Sequence, residues 1–170
     1  IFHNLGMANA SIIADFAVGS ALVISTLMSL PFIDRLGRKK LLEISLAGQV
    51  PPAIVLCLWS NDATIAIIAI FVYVFAFGFG LGPVFWSYVP EILPLKARAL
   101  GMGVITFTQY LFNGLLSLIF PMMLEALGIN VFYIFAALSA LAVVYIHRNV
   151  LETKGRTLED IEHYWETKHA

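Results

Sequence analysis

The chain alternates long apolar runs with short polar connections. No charged residue occurs from Phe16 to Ile33 or from Ile44 to Asn61, 18 positions each, from Ala63 to Pro90 (28), from Ala99 to Leu124 (26) or from Ala126 to His147 (22). About 20 apolar helical residues cross the hydrocarbon core of a bilayer, so each gap has spanning length. Membrane β-strands would instead show about 9–11 residues of alternating polarity, whereas stretches such as Ala126–Ile146 are continuously apolar. Backbone N–H and C=O groups in lipid must bond within the protein, which turns such runs into helices. The pattern predicts an all-α membrane protein with five transmembrane helices over residues 10–33, 41–59, 63–88, 97–123 and 128–148.

After residue 150 the pattern changes. Thr157-Leu158-Glu159-Asp160 offers an N-cap with an acid three positions on, close to a capping box. Leu158, Ile161 and Trp165 fall on one stripe, against Glu159, Glu162, His163 and Glu166. Residues 151–170 are therefore expected to form a polar tail with a short amphipathic helix lying under the bundle.

The basic residues give the helices a direction. All ten Lys and Arg residues lie in alternate connections: Arg35, Arg38, Lys39 and Lys40; then Lys96 and Arg98; then Arg148, Lys154, Arg156 and Lys168. The N-terminal stretch and the loops around Asn61-Asp62 and Glu125–Asn130 carry none. By the positive-inside rule the C-terminus is expected in the cytoplasm, and five crossings put residue 1 outside. The odd number of crossings and the start at Ile1 lead us to expect part of a longer protein whose N-terminal helices are missing here.

Composition narrows the function classes. The chain is 60% hydrophobic and 12% charged, with mean hydropathy +0.88 and net charge −1. Soluble domains carry about 25% charged residues, so this chain lacks the polar surface of a water-soluble enzyme. Its near-zero charge offers no field for nucleic acid. Cys57 is the only cysteine, which excludes an internal disulfide, and His3, His147, His163 and His169 are scattered rather than grouped as metal ligands. There is no phosphate loop, serine elbow or intramembrane carboxylate pair, so neither an enzyme nor a cofactor is expected. Membrane lipid is the expected surrounding partner.

Several polar and helix-breaking residues interrupt the apolar runs. Pro83 removes a backbone donor and should kink or break the third helix, while Gly78-x-x-x-Gly82 has the spacing for close helix packing. Trp86 is either an interfacial belt residue or part of the cavity such a break opens; Phe77 faces either a cavity or lipid. Gln109 and Asn113, at i and i+4, share one helix face. Two amides in hydrocarbon must bond to neighbouring helices or face a polar ligand. Asp15, at the outer end of the first helix, reads as an interfacial or outer-gate residue. Gly37 permits a tight reversal between Asp34-Arg35 and Arg38-Lys39, residues that can anchor at the interface or pair with neighbouring helices.

Three motifs resemble those of the sugar porter family of the major facilitator superfamily. Asp34-Arg35-x-Gly37-Arg38-Lys39 is similar to its D-R-x-G-R-[RK] loop. Gly82-Pro83-Val84-Phe85-Trp86, followed by Pro90-Glu91-Ile92-Leu93-Pro94 and Arg98, resembles its G-P-x-x-W…E-[IL]-[FL]-P…R block. Leu151-Glu152-Thr153-Lys154-Gly155-Arg156-Thr157-Leu158-Glu159-Asp160-Ile161 resembles its P-E-T-K-G-[RK]-[ST]-L-E-E-I tail. The resemblance covers nearly the whole chain and corresponds to helices eight to twelve of a twelve-helix fold.

The resemblance implies a sugar transporter of the plasma membrane that carries a hexose or related polyol between two rocking halves. Trp86, Gln109, Asn113 and Phe77 would then contact the sugar, and Gly82 and Pro83 would mark the helix break. Asp34, Arg35, Arg38, Lys39, Glu91, Arg98 and Glu152 would form a cytoplasmic charge network that holds the gate. The sugar-binding glutamines of helix seven and the family's usual coupling aspartate would lie in the part not present. Two departures are notable: Phe85 replaces a second proline, and Leu151 replaces the tail's leading proline, which would let the last helix run on. The alternative readings are a porter of the same fold carrying another organic solute, such as inositol, an organic acid or an organic cation, and a transporter-like nutrient sensor that binds sugar without moving it.

Overall fold

The structure is a computed structural model that describes residues 10–59, 61–157, 159–161 and 164. It contains α1 (Ala10–Leu36), α2 (Arg38–Leu58), α3 (Ala63–Phe79), α4 (Leu81–Ile92), α5 (Arg98–Leu127) and α6 (Val131–Asn149), and no strand among the described residues. Four helical stretches are long and apolar enough to cross a membrane: Val18–Leu36, Arg38–Leu58, Ala63–Ile92 and Arg98–Asn149. The last contains a reversal. Gly128, at φ 59, starts a 3-10 turn over Gly128–Asn130, and across it the Phe120 and Phe135 rings meet at 6.0 Å. That stretch therefore supplies two crossings, α5 and α6, and α3 with α4 supplies one, giving five in all.

Helix α2 is the centre of the packing, with α3 and α6 against it and α1 against α3. Leu41, Leu42, Val84 and Tyr88 form a buried cluster at the basic end; Leu56, Ala66 and Ala69 form another towards the opposite end. Helix α5 buries no residue, and Leu100, Leu118 and Met122 on it are exposed. In lipid that exposure carries no hydrophobic penalty, because acyl chains are as apolar as leucine. Asp62 starts α3 by accepting the Thr64 and Ile65 N–H groups at 2.9 and 3.2 Å, which satisfies two of its free donors.

The third span breaks at Gly80, not at Pro83. Gly80 separates α3 from α4, and Pro83 sits inside the first turn of α4, where its missing N–H would have no helical partner. The close approach also differs from the Gly78-x-x-x-Gly82 expectation. A Cβ on Gly78 would collide with Ser25 Oγ of α1, and one on Gly80 would collide with the Leu41 carbonyl and lie 2.5 Å from Ser45 Cβ of α2. A Cβ on Gly82 would meet only its own segment, at Phe77, 3.7 Å away. Pairing at Gly78 and Gly80 turns two successive sides of the chain onto two helices, which an i, i+4 motif cannot do.

The tail also corrects one expectation. Helix α6 ends at Asn149 despite Leu151 replacing a proline; Val150 turns extended at φ −86, ψ 130. The Leu151 carbonyl is held by the Tyr88 hydroxyl at 2.8 Å, which draws the chain back across α4. Further on, Thr157 N–H donates to Asp160 Oδ2 at 2.9 Å and Asp160 N–H to Thr157 Oγ1 at 3.2 Å, a reciprocal capping box. Glu159–Ile161 and Tyr164 are helical and Ile161 is buried. Leu158, Glu162, His163, Trp165 and Glu166 lie outside the described residues.

Candidate functional site

Two arrangements gather the polar and aromatic residues singled out in the sequence. The first lies at the basic end. Arg38, on the first turn of α2, donates from Nε and Nη2 to Glu91 Oε1 of α4 at 3.2 and 3.0 Å, and from Nη1 to Asp34 Oδ1 of α1 at 3.2 Å. The other Glu91 oxygen accepts the Thr153 hydroxyl at 2.5 Å. Arg38 and Glu91 are 18% and 30% exposed, against 84% for Asp34, so the Glu91 pair is the desolvated and stronger one.

Glu152 acts on the backbone rather than on a basic side chain. Its carboxylate accepts the N–H groups of Arg38 at 2.9 Å and Lys39 at 3.2 Å, and thus caps α2 from a distant part of the chain. Gly37, the residue at the N-cap, has φ 90, and a Cβ there would lie 2.6 Å from Glu152 Oε2. A negative carboxylate at a helix N-terminus also meets the positive end of the helix dipole. Lysines answer this at two C-termini: Lys154 Nζ donates to the Arg35 carbonyl at 2.6 Å, and Lys39 Nζ to the His147 carbonyl at 2.7 Å.

Four of the seven charged residues expected in this network therefore meet: Asp34, Arg38, Glu91 and Glu152. Arg35 enters through its carbonyl, and Lys39 through its N–H and a helix-end carbonyl. Arg98 departs from the expectation. Its Nη2 donates to the Leu93 carbonyl at 3.3 Å, its Nε is buried without a partner, and it forms no ion pair among the described residues. Between Glu91 and Arg98 the chain leaves the helix and turns, with the Ala97 N–H bonded to the Pro94 carbonyl at 3.0 Å. Sequence reasoning missed Thr153 and Tyr88; the only cue was their place beside Glu152 and Glu91.

The second arrangement is a cavity of about 280 Å³ lined by Phe77, Leu81, Gly82, Phe85, Trp86 and Gln109. It lies at the α3–α4 break, so residues on both sides of Gly80 form its wall. Phe85 meets Trp86 edge to face, with ring centroids 5.4 Å apart. Phe77 and Trp86 are 38% and 42% exposed, and the buried Gln109 Oε1 finds no hydrogen-bond partner among the described residues. This wall carries no charge; it offers aromatic faces and one amide with unused bonding capacity.

Asn113 does not share that cavity with Gln109. It lines a separate one of about 330 Å³ with Tyr73, Leu116, Ser117, Phe120, Phe132 and Phe135. One helical turn separates the two amides, and the space between α3, α5 and α6 takes the second. Asp15 is exposed on α1. Among the described residues, no His, Cys, Asp and Glu cluster with metal-binding geometry occurs.

Residues 1–165 match the family described as sugar (and other) transporter. The chain is 38% identical to the putative metabolite transport protein YwtG of Bacillus subtilis, over 95% of this chain and 37% of that protein. It is 31% identical to the glucose transporter GlcP of Staphylococcus epidermidis, over 96% and 38%. Among solved structures, the proton:xylose symporter XylE of E. coli bound to 6-bromo-6-deoxy-D-glucose superposes with a TM-score of 0.86 at 27% identity, covering 96% of this chain and 37% of XylE. The chain thus spans little more than a third of the length of the proteins it matches.

Proposed function

The chain belongs to the sugar (and other) transporter family, within the sugar porters of the major facilitator superfamily, and from that premise we propose that it supplies part of the sugar path and the inner gate of a transporter. The substrate is a neutral sugar, a hexose, pentose or related polyol, moved by alternating access between this portion and the remaining helices. The observation that carries this reading is the uncharged aromatic and amide wall at the α3–α4 break. An indole packs on the C–H faces of a pyranose, and an amide with free capacity both donates to and accepts from hydroxyls. A wall without charge favours this over an organic acid or cation.

The basic end faces the cytoplasm in this reading, and the Arg38–Glu91–Asp34 cluster with the Glu152 cap stabilises the closed inner side. A desolvated pair present in one state and broken in the other biases a two-state equilibrium. The test is uptake of radiolabelled glucose and xylose by the full-length transporter in proteoliposomes, with and without a pH gradient. Uptake of at least one, competed by the unlabelled sugar, is expected; no uptake across hexoses and pentoses overturns the reading. Dependence on the gradient distinguishes proton symport from facilitated diffusion.

A further inference from the structure

The α3–α4 break is bonded by a residue of another helix. In a continuous α-helix the Leu81 N–H would bond the Phe77 carbonyl; here it donates to Ser45 Oγ of α2 at 2.9 Å. The same hydroxyl donates to the Ala76 carbonyl at 2.7 Å. Ser45 is 1% exposed, and Gly80 lies so close to it and to the Leu41 carbonyl that a Cβ there has no room. On the opposite side, Thr26 Oγ1 of α1 reaches the Gly78 carbonyl at a longer 3.5 Å. Backbone groups freed within a membrane must be satisfied inside the protein, and one serine hydroxyl uses both its donor and an acceptor site to do so.

We propose that Ser45 is a positioning residue: its hydroxyl fixes the helix break at Gly80 and thereby sets Phe77 against Trp86 across the cavity. Phe77 stands one residue past Ala76, and Leu81 itself lines the cavity with Gly82, Phe85 and Trp86. The two Ser45 bonds are thus anchored on either side of the break, one at Ala76 beside Phe77 and one at Leu81, five residues before the indole that the transport reading assigns to the sugar. Without the hydroxyl, the Leu81 N–H and Ala76 carbonyl must recruit each other's helix or water, and the angle between α3 and α4 is no longer pinned. The affinity arm of the test rests on the transport reading; the backbone arm does not.

The experiment compares full-length wild type, Ser45→Ala and Ser29→Ala. Ser29 is also fully buried, but its hydroxyl donates to Thr26 within its own helix at 2.8 Å, so it controls for loss of a buried hydroxyl as such. Hydrogen exchange of the purified transporter reads the Leu81 amide: Ser45→Ala is expected to speed it about tenfold, the loss of one buried hydrogen bond, with Ser29→Ala near wild type. Uptake is expected to show a sugar KM raised several-fold in Ser45→Ala, with the maximal rate less affected. Unchanged exchange at Leu81 in Ser45→Ala overturns the proposal, as does an equal effect from Ser29→Ala. Faster exchange with an unchanged KM overturns the link to the cavity. If wild type carries no sugar, the sugar reading fails and the exchange result alone decides the latch.

Discussion

Arg38 grips one carboxylate oxygen of Glu91 with two nitrogens, at 3.0 and 3.2 Å, while Thr153 takes the other oxygen. Three segments distant in sequence, the start of α2, the end of α4 and the tail, are thus joined at one acid. The pair is largely shielded, so its coupling should exceed the 0–1 kcal/mol typical of exposed pairs and reach about 1–2 kcal/mol. In the proposed gate this corresponds to a shift of about 5- to 30-fold in the balance between closed and open inner states. Arg38→Ala, Glu91→Gln and the double variant form the cycle, read as labelling rates of cysteine probes at the basic end. The double variant should open the gate hardly more than either single one. Additive effects would show that the pair does not act as a unit.

Gly37 should tolerate no side chain. Its φ of 90 is disfavoured for any residue with a Cβ, and that Cβ would lie 2.6 to 2.9 Å from the Glu152 carboxylate. Gly37→Ala is therefore expected to cost about 2–3 kcal/mol, through backbone strain together with displacement of the cap. Gly103, within α5, has nothing within 4 Å of the same position, and Gly103→Ala should be neutral or slightly stabilising. Thermal melting of the purified transporter separates the two: a clear drop for the first, none for the second. Glu152→Ala added to Gly37→Ala should cost little more, because the cap is already displaced.

The third ion pair at this end sets the lower bound. His147 Nδ1 lies 3.3 Å from Glu43 Oε1, but His147 is 76% exposed. Solvent screening and side-chain entropy leave such a pair less than about 1 kcal/mol. His147→Ala should therefore leave melting temperature and probe labelling near wild type. The Lys39 contact survives this change, because Lys39 donates to the His147 backbone carbonyl and not to the ring. An effect as large as that of Arg38→Ala would mean that proximity to the headgroups, not burial, decides which pair matters.

What the sequence discloses follows from which interactions are local. Helicity and span count follow from the charge gaps, since burial in lipid depends on the run of side chains and the backbone must bond within it. The Thr157–Asp160 box is likewise readable, because its partners are three residues apart. The break is another matter. Pro83 marks the right region, but Gly80 is where α2 approaches, and that approach depends on Ser45, 35 residues earlier. Glu152 looks like a partner for a basic side chain; it caps a helix because Gly37 leaves room for it. Arg98 stands outside the Arg38 ion pairs and Asn113 outside the Gln109 cavity for one reason: motif order and helical face fix a side chain's direction, not which neighbouring helix stands there.

Separation of the two amides gives the last prediction. Gln109 shares its cavity with Trp86 and Phe77, whereas Asn113 lines another with Tyr73 and Phe135. If the sugar occupies the wall at the break, Trp86→Ala removes the stacking face and Gln109→Ala one charge-neutral hydrogen-bonding group. Each should raise the sugar KM about 5- to 30-fold, since a ligand-facing hydrogen bond or stacked ring contributes about 1–2 kcal/mol. Asn113→Ala should have a smaller effect, below about threefold, because it lines the other cavity, with Ser117 and Phe120. Competition uptake in proteoliposomes measures all three side by side. The reverse order, with Asn113→Ala the most damaging, would move the sugar site to the cavity between α3, α5 and α6. The Ser45 latch would then position a wall that the substrate does not touch.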